Sequence, residues 1–443
     1  MKIQLSDHFT YLRLIKFTVP SIVMMIVSSI YGIVDGMFVS NFAGKTAFAA
    51  INLIYPPFAI MGASGFMLGT GGTALVAKIL GEGDKEKANR VFSMIIYVVA
   101  VLGIIFGTIG FLFVRPVAVF LGAEGQMVEN CVVYARFLMP FMCCFMLQTT
   151  FQSFMITAER PRMGLVVTVA AGVANMVLDA LFIAVFGWGL MGAAVATGIS
   201  MTVGAAIPLC YFITKKNPRL HLGKTVFDGK ALLNACTNGV SEMVSEVSGS
   251  VVVMLFNFQL IKFAGEDGVA AYGVITYLTY IFMGVFYGYS MGIAPVISYH
   301  YGAENHAELK NLFTKSLKLL GIVGAAIVAA AQLSARPLSA IFVAYDPQLQ
   351  EMTVHGMRVF CLAFMISGIT IFASGFFTAL NNGLISAVMS FLRTLLFECS
   401  AVMILPIFFG IDGVWASIIV AELAALTFAI IFFVKYKNRY HYY

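Results

Sequence analysis

Six of the chain's 21 acidic residues sit inside long apolar runs: Asp35, Asp179, Glu242, Glu246, Glu398 and Glu422. An isolated charge at a bilayer centre costs about 2.5–3.5 kcal/mol, so such residues face a bundle interior or a wet cavity and are candidates for function. Asn175 and Asp179 are four residues apart and share one helix face. At about 1.5 Å per residue, Asp179 lies roughly 25 Å along the fifth apolar run, Asp35 lies further along the first, and Thr197 lies about 13 Å below the outer end of the sixth. These depths allow Asp35, Asn175, Asp179 and Thr197 to meet in one pocket. Two carboxylates in an apolar pocket can take up a proton near neutral pH. With amide and hydroxyl oxygens beside them they could instead hold a hard cation such as Na⁺. Plainer readings stay open: Asp35 as an interfacial acid near a helix end, Asp179 as a satisfied buried polar group.

Glu242 and Glu246 are likewise four apart, on one face of the seventh run, and could meet a cationic cargo. Arg393 is the only base in mid-span. It shares the eleventh run with Glu398, and Glu422 lies in the twelfth. Arg393 could neutralise one of them, either as a structural ion pair with Glu398 or Glu422 or in a coupling role.

These residues need a hydrophobic frame, and the composition supplies one. Of 443 residues 60% are hydrophobic and 11% charged, against about 25% charged in soluble domains. The mean hydropathy is +0.92. Too few polar side chains exist to cover a water-facing surface, so a soluble globular protein is excluded. Twelve apolar runs are expected near 14–40, 48–80, 91–113, 131–157, 163–186, 190–213, 235–262, 270–299, 312–334, 356–379, 384–408 and 413–435. They are long and continuous rather than alternating, which favours helices over a barrel. About 12–17 residues then remain for each connection and terminus, too few for a large soluble domain. No cleavable leader is expected before the first run. The termini and even-numbered connections hold 20 Lys and Arg, the odd ones 6. This bias predicts both termini in the cytoplasm. It also accounts for the net charge of +6 without a nucleic-acid partner.

Slid along itself by one fixed offset, the chain partly reads itself. Phe42-Ala43-Gly44 falls on Phe263-Ala264-Gly265, Gly81 on Gly302, Arg115-Pro116 on Arg336-Pro337, Thr157-Ala158 on Thr378-Ala379 and Gly192 on Gly413. The offset covers six spans, an even number, so the two halves have the same orientation: a parallel repeat. The predicted fold is an all-α integral membrane protein of twelve helices in two six-helix bundles. The lobes are 1–214 and 231–443, joined by a basic cytoplasmic linker over 215–230. Pro20 should kink or weaken the first span, because proline removes a backbone hydrogen bond. The glycines of the second span (Gly62, Gly65, Gly69, Gly71, Gly72) read as close helix packing more readily than as a hinge. No GxxxxGK[ST] nucleotide loop, HExxH or Cys/His cluster occurs, and no catalytic residues or cofactor are expected.

Together these residues resemble the multidrug and toxic compound extrusion (MATE) family. The resemblance rests on Pro20…Tyr31…Asp35-Gly36, Gly81-Glu82-Gly83-Asp84, Asn175-x-x-x-Asp179 and Gly192-Ala193-Ala194…Thr197. It covers nearly the whole chain and is nearest to the prokaryotic DinF-like branch. It implies a V-shaped central cavity and export of cationic or amphipathic compounds against inward flow of H⁺ or Na⁺. It assigns cation coupling to Asp35, Asn175, Asp179 and Thr197, with Tyr31 at a neighbouring polar position, and makes Pro20 the point at which the first helix bends. The C-terminal half departs from the other bacterial branch: the tenth span carries no acid, only Ser367 and Ser374. Glu242, Glu246, Glu398 and Arg393 are therefore candidates for the substrate cavity rather than for coupling. The expected protein is a monomeric antiporter of the plasma (inner) membrane. Its partners are the lipid bilayer and small organic cations or amphipathic drugs. The alternative is a flippase for lipids or lipid-linked oligosaccharides of the same wider superfamily.

Overall fold

The computed structural model describes residues 3–39, 42, 45–214, 219–344 and 346–443. Of the positions named above, Ala43, Gly44 and residues 215–218 of the linker lie outside the described residues. The regular structure among the described residues is helical. Six helices come first: α1 (Tyr11–Phe38), α2 (Lys45–Gly81), α3 (Lys85–Phe120), α4 (Gln126–Thr157), α5 (Pro161–Val185) and α6 (Gly189–Ile213).

Two later helical runs are far too long to cross a bilayer once. Gly229–Gly302 has 74 residues and Gly383–Tyr440 has 58, or roughly 110 and 87 Å if straight. Both turn on a glycine with positive φ: Gly265 (φ 61°) and Gly410 (φ 58°). Chain fold-back at Gly265 is visible in the rings of Phe256 and Tyr272, which stack at 4.8 Å although a straight helix would hold them roughly 24 Å apart. At Gly410, a Cβ placed on Gly413 would lie 2.5 Å from the Leu405 carbonyl oxygen. The second set of helices is therefore α7 (229–264), α8 (266–302), α9 (His306–Val343), α10 (Pro347–Ala379), α11 (383–409) and α12 (411–440).

The connections are shorter than expected. Several are three residues long, such as 82–84, 158–160 and 303–305. The helices take up the difference: α3 has 36 residues and α9 has 38, about 54–57 Å each against a hydrocarbon layer of about 30 Å. Hydropathy marks only the part of a helix that lies in lipid.

The repeat is written into the backbone. Gly83 and Glu304 both have positive φ, as do Gly189 and Gly410, and each pair is related by the same offset that carries Gly81 onto Gly302. Asp84 caps α3 through the Lys87 N–H, and its repeat-related partner Asn305 caps α9 through the Glu308 N–H. The two hydrophobic cores follow the halves except near their boundary, where Ile156 of α4 joins the C-terminal core and Ala231 and Ala235 of α7 join the N-terminal one. Leu14, Phe17 and Met24 of α1 also pack into the C-terminal core. Glycines make that crossing possible. On α8, a Cβ at Gly288 would lie 2.5 Å from Ile22 Cα. Gly81 and Gly302, the repeat-related pair, meet the opposite half reciprocally: a Cβ on the first would overlap the Tyr299 carbonyl oxygen, and on the second the Lys78 carbonyl oxygen. The five glycines of the second span also face other helices closely, so they are packing positions.

Both chain ends lie on one face, as an even number of spans requires. His8 Nδ1 lies 2.6 Å from Glu308 Oε2, and the rings of His306 and His441 are 4.9 Å apart. The Leu5 N–H and the Arg219 guanidinium both donate to Glu159 Oε1, at 2.9 and 3.0 Å.

Candidate functional site

The N-terminal bundle builds a polar site in the half of α1 beyond its crossing with α8. Asp35 lies on α1 and Asp179 on α5, where a π-helical turn over Ala180–Val185 begins. Asp179 is completely buried. Its carboxyl faces that of Asp35 at hydrogen-bonding contact. Neither Asp179 oxygen, nor Oδ1 of Asp35, has another partner among the described residues. Two bare carboxylates this close repel each other unless a proton or a cation lies between them. One turn below Asp179, the Asn175 amide donates to Thr197 Oγ1 of α6 at 3.5 Å. The Tyr31 ring packs on Gly172 of α5. The structure thus brings Tyr31, Asp35, Asn175, Asp179 and Thr197 to one place between α1, α5 and α6.

Three residues of this neighbourhood carry no sequence signal. Gln148 and Ser28 lie within hydrogen-bonding reach of the Tyr31 hydroxyl. Tyr134, buried on α4, is close enough for both acids to act on it electrostatically. All three are neutral polar residues, which carry no insertion cost large enough to single them out among the other hydroxyl and amide side chains of the helices.

The C-terminal bundle is built differently. The repeat places Phe256, Leu396, Ser400 and Ile418 where the N-terminal bundle has Asp35, Asn175, Asp179 and Thr197. Its charge lies elsewhere. Arg393 and Glu398 both belong to a π-helical stretch, Phe391–Glu398, in mid-span of α11, and such stretches often occur at functional sites. Arg393 binds Glu422 of α12: Nε and Nη2 both donate to Oε1, at 2.9 and 2.7 Å. Thr370 Oγ1 donates to Oε2 at 2.5 Å, so both carboxylate oxygens are occupied. Arg393 Nη1 lies 3.5 Å from the Tyr287 hydroxyl. Of the two ion pairs open to Arg393, the one with Glu422 forms. Glu398 is half-buried and makes no hydrogen bond or ion pair among the described residues.

Glu242 and Glu246 face the boundary between the bundles. Glu246 acts electrostatically on Tyr55 of α2 and on Tyr280 and Tyr287 of α8. Tyr55 and Tyr280 are about half exposed, 50% and 51%. Neither acid has a side-chain partner among the described residues. Pro20 is buried in α1, below the acid pair and beside the α8 crossing.

Comparison with known proteins agrees with this architecture. A family model described as MatE matches the chain twice, over residues 20–181 and 241–403, which is the repeat seen above. The multidrug export protein MepA of Staphylococcus haemolyticus is 24% identical over 439 residues, covering 98% of this chain and 95% of that protein. A solved MATE in complex with MaL6 superposes with a TM-score of 0.91 at 23% identity, covering 98% of this chain and 97% of that one. An outward-facing multidrug resistance MATE family transporter of the MOP superfamily gives 0.90 at 23% identity, with 96% and 95% covered. With two matches that span most of its length and a backbone of two repeated six-helix bundles, the chain belongs to the MatE family.

Proposed function

We propose that the chain exports organic cations and amphipathic drugs across the plasma membrane, with export driven by inward movement of H⁺ through alternating access. The observation that carries this reading is the contact between the Asp35 and Asp179 carboxyls. A proton holds two carboxyls in such a contact. A bound Na⁺ would stand between them and draw on Asn175 and Thr197 as further ligands. The relatives' printed names as multidrug exporters support the cargo class. The cleft supports it too: Glu242, Glu246 and Glu398 have no side-chain partner among the described residues, Glu246 acts on the exposed rings of Tyr55 and Tyr280, and acids with aromatic faces suit organic cations. A flippase for polyanionic lipid-linked cargo needs free bases in its cavity. The one mid-span base, Arg393, is already held by Glu422.

The mechanism starts with the cleft open on the face opposite the termini, since the glycine contacts Gly81–Tyr299 and Gly302–Lys78 close the terminal face. Protonation of the Asp35–Asp179 pair removes negative charge where α1 meets α5. Helix α1 then shifts near Pro20, cargo leaves, and the bundles rock. A charge moving down the membrane potential contributes about 2.3 kcal/mol per 100 mV. Ethidium efflux from proteoliposomes, driven separately by a pH gradient and by a Na⁺ gradient, tests the reading. The wild type should respond to the pH gradient, and Asp35→Asn and Asp179→Asn should not. Undiminished proton-driven efflux in both variants would overturn it.

A further inference from the structure

The Arg393–Glu422 pair is not needed to build a six-helix bundle. The N-terminal bundle has the same fold with Gly172 and Met201 at the repeat-related positions. A buried ion pair is also weak evidence for a stabilising role, because desolvation offsets most of its attraction. What the pair does decide is where one positive charge points. Arg393 and Glu398 are five residues apart inside a π-helical stretch, whose turns close between residues i and i+5. They therefore lie near one another on α11 and act on each other electrostatically, yet they form no ion pair. The guanidinium is drawn instead to α12, where Glu422 takes two of its N–H groups and is itself fixed by Thr370. The Tyr287 hydroxyl closes the other side, and Tyr287 in turn is within reach of the charges of Glu242 and Glu246.

We propose that Glu422 is a specificity-determining residue: by holding the Arg393 guanidinium on α12 it keeps that charge off Glu398 and leaves the C-terminal wall of the cleft acidic for organic cations. Without Glu422 the guanidinium has one acid left within reach, Glu398. Their pairing cancels the negative charge of Glu398, on which Arg393 already acts electrostatically. Glu422 acts through Arg393 and does not itself touch cargo, so it is a positioning residue. The inference rests on the cation-export reading above.

The test uses two probes of nearly equal shape and opposite charge, tetraphenylphosphonium and tetraphenylborate. Binding is measured to the full chain in nanodiscs, with empty nanodiscs subtracted. Glu422→Gln should weaken tetraphenylphosphonium binding by roughly tenfold or more, as expected when a close charge pair is rearranged, and should tighten tetraphenylborate. The double variant R393Q/E422Q, which removes both charges, should return cation binding to within about threefold of wild type. Glu422→Asp, which keeps the acid, should behave like wild type and serves if Glu422→Gln folds poorly. Equal weakening of both probes in Glu422→Gln, or no recovery in the double variant, would overturn the proposal and leave the pair a structural tie. Absence of phosphonium binding to the wild type would instead count against the export reading itself. The two failures are thus distinguishable.

Discussion

At the scale of single residues, the acid pair and its neutral companions divide the work. In the proposed mechanism Asp35 and Asp179 hold the proton between them, while Asn175 and Thr197 meet through a long hydrogen bond of 3.5 Å. A bond of that length contributes little. If H⁺ is the coupling ion, Thr197 only orients Asn175. Thr197→Val should therefore cut proton-driven ethidium efflux by less than about threefold, since so long a bond contributes no more than the low end, about 0.5 kcal/mol, of a net hydrogen bond. A Na⁺ site would lose an oxygen ligand and most of its activity. Efflux that collapses in Thr197→Val and is restored by raising the Na⁺ concentration would reject H⁺ coupling. The same chemistry sets the sign of a pH effect. Each proton taken up by the pair adds positive charge beside the cleft, so cation binding should weaken on acidification. Asp35→Asn should flatten that dependence.

At the scale of elements, α1 connects the two halves. Its first half packs into the C-terminal core through Leu14, Phe17 and Met24, and its second half carries Tyr31 and Asp35 to α5. Gly288 of α8 is the close point of the crossing. Gly288→Leu has no room and should lower stability by about 1–3 kcal/mol, the usual range for overpacking, seen as a lower melting temperature of the purified protein. Pro20→Ala restores a helix N–H at the point where α1 is proposed to shift. It should keep that melting temperature while slowing efflux several-fold. Equal effects of both variants on melting would show that Pro20 has no separate role. Much of this element-level arrangement is legible in the sequence. The spacing of Asn175 and Asp179 is local, and the repeat offset needs only the chain compared with itself. The choice of Glu422 over Glu398 by Arg393 is not legible, because it depends on a π-helical stretch and on Thr370 from a third helix. The breaks at Gly265 and Gly410 fall where the expected runs stop and resume, but that one glycine makes each turn is not legible. A single glycine can reverse a helix, and hydropathy then sees an interruption where it expects a loop.

At the scale of the whole molecule, the repeat supplies the boundary along which the proposed rocking would part the bundles. Gly81 of α2 and Gly302 of α8 are related by the repeat and meet across the boundary reciprocally. Such a contact lies near the pseudo-symmetry axis. It has no interlocking side chains on its glycine faces, so parting it leaves no cavity in either core. Opening of the terminal face must separate these two helices, and a bond between them should hold the cleft open only on the opposite face. Glu82 and Ala303 flank the contact, the Ala303 nitrogen lying 2.9 Å from a Cβ built on Gly81. Cysteines at both positions, placed in a background without the seven native cysteines, should cross-link with a short bifunctional thiol reagent. The cross-linked protein should still bind tetraphenylphosphonium, because the open face is unchanged, and should not export ethidium. A cleavable linker should restore export when reduced. Export at the wild-type rate through the cross-linked molecule would mean that α2 and α8 never part, and would refute rocking of the two bundles as the transport step.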